Sequence, residues 1–302
     1  MKTGESVDII TMDHGWRQHR QGMLWKEITG IMMRALWSAA SGMRAQQTNV
    51  DAISNNFANV NTTGYKTEKP EFKSLLYQTI QNQTTTANGT PKPVTAQVGL
   101  GTRVASITSR FEQGSLLDVE SNSAVAIDGY GLFGINGPDN QIMYTRNGDF
   151  VWGEGPNGLT LLTSDGYQVM DTNGNEIILP DTVDSNQVVI GEDGLIGYMN
   201  AQNVYTSLNQ SIGLWQFTND AGLQKTSGTY YLETEASGQA MNEANTPNLR
   251  RSTVRQKYLE GSNVQVAEEM VNLIVAQRAY ELNSKAITTS DTMLEQANNL
   301  KR

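Results

Sequence analysis

The chain has no cysteine in 302 residues. That excludes disulfides, thiolate metal centres and cysteine nucleophiles together. It also means that an extracytoplasmic location would need no oxidation step. Histidine is scarce: the two, His14 and His19, both lie before Ile31. They stand near Asp13 without any scaffold to orient them, so a metal site there is not expected. Basic residues number 22 against 31 acidic ones, giving a net charge of −9. Phosphate backbones and anionic lipid surfaces reward Lys and Arg, so neither is an expected partner. No run of about eighteen apolar residues occurs, so no segment reads as a membrane-spanning helix. Residues 1–31 lack the apolar core and small-residue cleavage site of a secretory signal. Export, where it occurs, is therefore expected to use a route without a cleaved signal. Apolar residues make up only 38%. A long polar chain of this kind suits an assembly subunit better than a compact enzyme.

What is present is concentrated at the two ends. After Gly261 there is neither Gly nor Pro. Ser262 followed by Gln265 has the spacing of a capping box, which predicts a helix start there. Val266, Leu273, Tyr280, Ile287 and Leu294 then fall seven apart, and Ala279, Ala286, Met293 and Leu300 form a neighbouring track. A sustained seven-residue repeat keeps one seam turned towards a partner helix. At 1.5 Å per residue this helix would be roughly 55–60 Å long. Near the other end Leu36, Met43, Val50 and Phe57 are also seven apart, as are Ala39, Gln46, Ile53 and Val60. These two tracks predict a second helix over 33–60. Each striped helix needs something to cover its seam, and the middle of the chain offers no helix for the purpose.

Residues 104–235 read instead as short strands. Val125, Ala126 and Ile127, or Val188, Val189 and Ile190, are bounded by turn dipeptides such as Asn147-Gly148, Asn157-Gly158, Asp165-Gly166, Asn173-Gly174 and Asp193-Gly194. These supply the positive φ angles that tight hairpins need. Three features imitate chemistry. Gly129, Gly131 and Gly134 spell a dinucleotide-type G-x-G-x-x-G, but Asn136-Gly137-Pro138 follows where a helix is required, so a hairpin is expected. Asp171, Asn173 and Asn175 alternate as in a calcium loop, yet Glu176 occupies the position that demands glycine. Glu268 and Glu269 are adjacent and cannot face each other on a helix. No constellation for catalysis, a cofactor or a small-molecule substrate emerges. Arg250, Arg251, Arg255 and Lys257 form a small basic cluster, expected to lie on a solvated strand facing a neighbouring subunit.

The first predicted helix ends in Asn-Asn-Phe-Ala-Asn-Val-Asn-Thr-Thr-Gly-Tyr-Lys over 55–66. Asn tolerates left-handed backbone and Gly closes the turn, so a helix stop is predicted from the residues alone. The pattern Asn55, Asn56, Ala58, Asn59, Thr62, Gly64 and Lys66 also resembles the signature of the bacterial flagellar rod and hook family. Ser262-Asn263-Val264, Ala267 to Val271, Gln277 to Glu281 and Asn283-Ser284-Lys285 resemble that family's closing helix. Tyr144 to Phe150 resembles part of its β domain. The resemblance covers nearly everything after Met32.

It implies an α+β fold, with long terminal helices paired as a coiled-coil core and a central all-β domain. The implied division is an unstructured extension over 1–32, with Met32 and Met33 as alternative starts. A discontinuous helical core follows over 33–70 and 261–302, with extended connections at 71–103 and 236–260 and a β domain at 104–235. It further implies a non-enzymatic subunit of the basal-body rod that polymerises into a hollow axial drive shaft outside the cytoplasm. Leu36, Met43, Val50, Ile53, Phe57, Val266, Leu273, Tyr280, Ile287 and Leu294 would be its self-assembly seam. Its implied partners are other copies, other rod and hook subunits, the flagellar export apparatus, and ring bushing proteins where an outer membrane exists. The stretch 82–102, rich in Thr, Asn, Gly and Pro, resembles an extra piece found in the distal-rod branch. A proximal rod or hook-like subunit is the nearest alternative. A secreted glycan-binding or carbohydrate-active β protein is the alternative of another class.

Overall fold

Two helices bracket a series of short strands. The computed structural model describes residues 8–81, 96–155, 158–180, 183–200 and 204–299, with side chains from residue 33 onward in the first helix. Helix α1 spans Asp8–Ala58 and helix α2 spans Val266–Asn299. Among the described residues, everything between them is strand, turn, irregular chain or single 3-10 turn. The fold class is α+β, as expected.

Helix α1 starts far upstream of residue 33, so 8–32, expected as an unstructured extension, continue the helix. The first proline of the chain is Pro70, and nothing before it deletes a backbone donor. Three glycines at 15, 22 and 30 weaken a helix by about 1 kcal/mol each but do not break it. Periodicity underestimates such a segment because it measures the apolar stripe, not the absence of breakers. Both histidine side chains and Leu300 lie outside the described residues. So do Asn157 and most of 82–102.

The chain divides into two units. One comprises Met1–Asp51, Pro70–Ser106 and Asn272–Arg302. In it the strand Tyr77–Gln81 pairs antiparallel with Ala96–Gly99, placing Tyr77 opposite Gly99. The described parts of the expected connecting segment thus include extended strands with sheet hydrogen bonds of their own. At its base, Leu75 N–H donates to the Gly101 carbonyl at 2.9 Å, and Thr102 N–H donates to Ser41 Oγ at 3.2 Å. Gly42 of α1 meets α2 so closely that a Cβ there would lie 3.0 Å from the Asn283 amide.

The other unit comprises Ala52–Lys69 and Ile107–Val271. Its main sheet is built around the strand Leu132–Asn136, which pairs antiparallel with Ile142–Thr145, Gln168–Val169 and Leu214–Gln216. The hairpin of Phe150–Gly155 and Gly158–Thr163 extends it. A three-stranded meander of Val188–Ile190, Leu195–Met199 and Tyr205–Ser211 stands beside it. Val125, Ile127, Phe133, Ile135, Phe150 and Leu161 are wholly buried. Each such side chain contributes about 1.5–3 kcal/mol relative to exposure. Phe133 and Phe150 meet edge-on at 5.0 Å.

The expected connection at 236–260 is instead part of this unit. Thr253–Gln256 pairs with Val125–Asp128, and Tyr258–Glu260 pairs with Leu116–Asp118. Two of the three imitations of chemistry resolve into strand and turn. The three glycines of the dinucleotide-like run lie in and beside the strand Leu132–Asn136, which is followed by the single 3-10 turn Pro138–Asn140 and then a strand, not by an α-helix. Asp171 is buried, and its Oδ1 accepts from the Thr172 amide in its own turn and from the Ser211 amide at the end of the strand Tyr205–Ser211.

The joint formed by the two terminal motifs

The Asn-rich run stops α1 and then folds back against itself. Asn59 Nδ2 donates to the Asn55 carbonyl at 2.9 Å, adding to the bond that its own backbone N–H makes to the same oxygen at the helix end. Thr62 Oγ1 donates to Asn59 Oδ1. Asn56 is buried and treats Glu68 as a strand neighbour would. Its Oδ1 accepts from Glu68 N–H at 2.9 Å, and its Nδ2 donates to the Glu68 carbonyl at 3.0 Å. Tyr65 hydroxyl donates to the same Oδ1. A primary amide offers the donor and acceptor pair that a peptide edge needs, which neither Asp nor Leu supplies. Asn55 reaches the Glu68 carboxylate at 3.1 Å, while Ala58 faces solvent.

Gly64 has φ +68, and a Cβ there would sit 2.5 Å from the Asn147 nitrogen. Only glycine fits both the left-handed backbone and the approach. That turn delivers Lys66 into the interior. Its ammonium is fully buried, 2.6 Å from Glu260 Oε1 and 2.7 Å from the Glu112 carbonyl. The other oxygen of Glu260 accepts from Arg146 at 3.2 Å, and Gly114 N–H donates to Oε1 at 2.8 Å. Arg146 also donates to the Ile127 and Gly129 carbonyls. One carboxylate therefore holds two buried cations, and the more distant negative field of Asp220 and Glu243 reaches Arg146 as well.

Burial brings the Lys66 ammonium down to about 8; Glu260 pulls against that fall and Arg146 adds to it. Burial likewise lowers Arg146 from its ordinary value. The Tyr65 hydroxyl is pushed up by burial, then by the nearby Glu68 carboxylate. At the joint's edge Lys225 pairs with Glu68 at 2.6 Å and lies 4.4 Å above the Tyr65 ring.

The C-terminal motif closes the same joint. Asn263 Oδ1 accepts from both the amide and the hydroxyl of Thr67, at 2.8 and 2.6 Å. Its Nδ2 donates to the Arg110 and Glu112 carbonyls. Ser262 Oγ accepts from Val264 N–H instead of making the expected capping box, and α2 starts at Val266.

Three family models match the chain, over different segments. The flagellar basal-body rod protein model matches 36–66, the flagellar hook protein FlgE/F/G D1 domain matches 126–198, and the basal-body rod FlgEFG C-terminal model matches 255–300. The flagellar basal-body rod protein FlgG of Borreliella burgdorferi is 45% identical over 274 residues, covering 90% of this chain and all of the relative. The FlgG rod proteins of Buchnera aphidicola from Schizaphis graminum and of Bacillus subtilis are 40% and 37% identical, over 89% and 90% of this chain and all of each relative.

The chain belongs to the flagellar basal-body rod protein family.

That family is structural and not enzymatic, which sets aside the glycan-active alternative. Each of the family's three matched segments supplies part of the joint: Asn56, Gly64 and Lys66 from the first, Arg146 and Asn147 from the second, Glu260 and Asn263 from the third. The rod-family signature is thus a packing device, with few polar atoms left over. Of the buried polar side-chain atoms here, Arg146 Nε is without a partner.

The structure places the expected seam unevenly. Ile53 is buried, and Leu36, Met43, Val50 and Phe57 are half-buried. Leu273, Ile287 and Leu294 are half-buried, while Val266 and Tyr280 are exposed. The covered neighbours of that α2 track are Glu269, Ala276, Asn283, Ser290 and Ala297; of the expected second track, Ala286 and Met293 are exposed. Sequence reasoning also missed Glu260 and Arg146 as partners of Lys66. The only available signal was that Arg146 and Asn263 lie inside family-like segments.

Proposed function

We propose that this chain is a structural subunit of the distal flagellar rod, which polymerises around an axial channel and transmits torque. The observation that carries the reading is an imbalance of burial. The β unit buries Val125, Ile127, Phe133, Ile135, Phe150 and Leu161 completely, whereas α2 leaves Met270, Ile274, Val275 and Leu282 on one side more than half exposed, and α1 leaves Trp37 so. The apolar stripe along α2 is surface of the kind that marks an interaction site. In the assembly α1 and α2 pair as a coiled coil, supported by the seven-residue spacing of Leu273, Ile287 and Leu294 and by the Gly42–Asn283 approach. The joint ties the last turns of α1 and the start of α2, Ala52–Lys69 and Glu260–Val271, into the β unit.

The distal rod is preferred to a proximal or hook-like subunit because the relatives named as FlgG rod proteins are 37–45% identical. The hook-basal body complex protein FlhP of Bacillus subtilis is 29% identical. Other rod and hook subunits are the neighbours along the axis. Delivery falls to the flagellar export apparatus, and ring proteins surround the shaft where an outer membrane is present. Electron microscopy of basal bodies from cells carrying a tagged copy tests the reading. Label along the upper rod is expected; label confined to the hook, or absent from purified basal bodies, contradicts it.

A further inference from the structure

Helix α2 has two unlike faces. One carries Leu273, Ala276, Asn283, Ile287 and Leu294 and is covered within the chain, with Ala276 only 1% exposed. The opposite face carries Met270, Val271, Ile274, Val275 and Leu282, all more than half exposed. At 3.6 residues per turn these five share one stripe. Helix α1 has a bare side as well. Trp37 and Ala40 line a groove of about 370 Å³ whose far wall is Leu75, Leu100 and Val104 at the base of the strand arm. Trp37 is 69% exposed.

We infer that the outward face of α2 seats in this groove of a second copy of the chain. The inference rests on the rod reading and adds to it the surfaces that meet. On the side of α2 predicted from the sequence to be the assembly seam, Leu273, Ile287 and Leu294 are partly covered within the chain, so the larger bare surface for contact between copies is on the other side.

Size and symmetry choose the occupant. The stripe from Met270 to Leu282 is roughly 18 Å long, and a helix is about 10 Å wide, so it presents on the order of 200 Å². A stable isolated pair buries about 800 Å² per partner. The contact is therefore too small to hold a dimer alone, and it persists only in an array where every copy has several neighbours. Face and groove are also different surfaces of one chain. Joining them is head-to-tail and open-ended, as a rod requires, whereas α2 meeting α2 would close at two copies. An exposed Trp at the groove is the residue type that anchors such contacts.

The absence of cysteine makes the test clean, because introduced thiols are the only ones present. Ala40→Cys and Val275→Cys chains are purified separately, mixed under conditions in which the unmodified chain polymerises, and oxidised mildly. Trp37→Cys with Ile274→Cys serves as a second pair, so that a small offset in register does not decide the outcome. The expected result is a covalent dimer containing one copy of each variant in at least one pair, and a ladder of multimers from a chain carrying both thiols of that pair. Val275→Cys and Ile274→Cys chains each joining efficiently to themselves would overturn the inference, as would polymer without mixed disulfide in either pair. Failure of the unmodified chain to polymerise at all would sink the rod reading and this inference with it.

Discussion

Glu260 holds two cations, and the consequences differ according to which member is removed. Glu260→Gln leaves Lys66 and Arg146 buried side by side without their shared carboxylate. Breaking a buried pair in this way costs about 3–5 kcal/mol. Lys66→Met keeps the Arg146–Glu260 pair and loses hydrogen bonds worth about 1–3 kcal/mol. Urea unfolding is expected to show the larger fall in midpoint for Glu260→Gln; equal falls would mean that the two cations do not share it. Lys66 also predicts a pH dependence. Its folded value of about 8 lies below the ordinary lysine value of 10.5. Between the two the unfolded chain holds the proton that the folded chain has released, so stability from this group rises with pH. The unmodified chain should therefore gain on Lys66→Met as pH goes from about 8 to 10. Tyr144, Tyr230 and Tyr231, pushed up to about 12 mainly by burial, work in the opposite sense above about pH 10. They are common to both chains and cancel in the comparison. A flat difference across the window would contradict the assignment.

At the scale of elements, the covered face of α2 is the part most open to disruption. Leu273→Asp or Ile287→Asp places a charge among half-buried side chains, at a cost of several kcal/mol or a forced protonation. Near-normal β-type circular dichroism with loss of swimming is expected from each; normal swimming from both would contradict the face assigned. This face was only half legible in the sequence. Leu273, Ile287 and Leu294 announce themselves by hydrophobicity, but their covered neighbours Ala276, Asn283 and Ser290 are small or polar and carry no apolar signal. Exposed Val271 and Val275 carry a strong one, so periodicity alone could not say which side the chain itself covers. The joint divides in the same way. Asn56 and Gly64 could be read as turn formers because turn chemistry is local. Glu260 could not be read as the partner of Lys66, because 194 residues separate them and a lone glutamate at a strand end looks solvated. The start of α1 was missed for a third reason, since a helix without breakers can be long without being striped.

At the scale of the whole molecule, a well-buried β unit carries helices that lack enough partners in a single copy. Most helical stability comes from packing an apolar face, not from propensity. Ser38, Ser41, Gly42 and Thr48 weaken α1 further, and exposed Met270, Val271, Ile274 and Val275 leave α2 unsupported on one side. The ordering entropy of both helices is then offset only in the polymer. This restrains premature growth, since a nucleus needs several chains at once. Hydrogen exchange on the same preparation before and after polymerisation tests this most directly. Rapid exchange over 33–51 and 272–299 in the monomer, slow exchange over the core strands of 125–163, and a large gain of protection confined mainly to the two helices on assembly are expected. Helices already protected in a verified monomer, or protection gained only in the β unit, would contradict it.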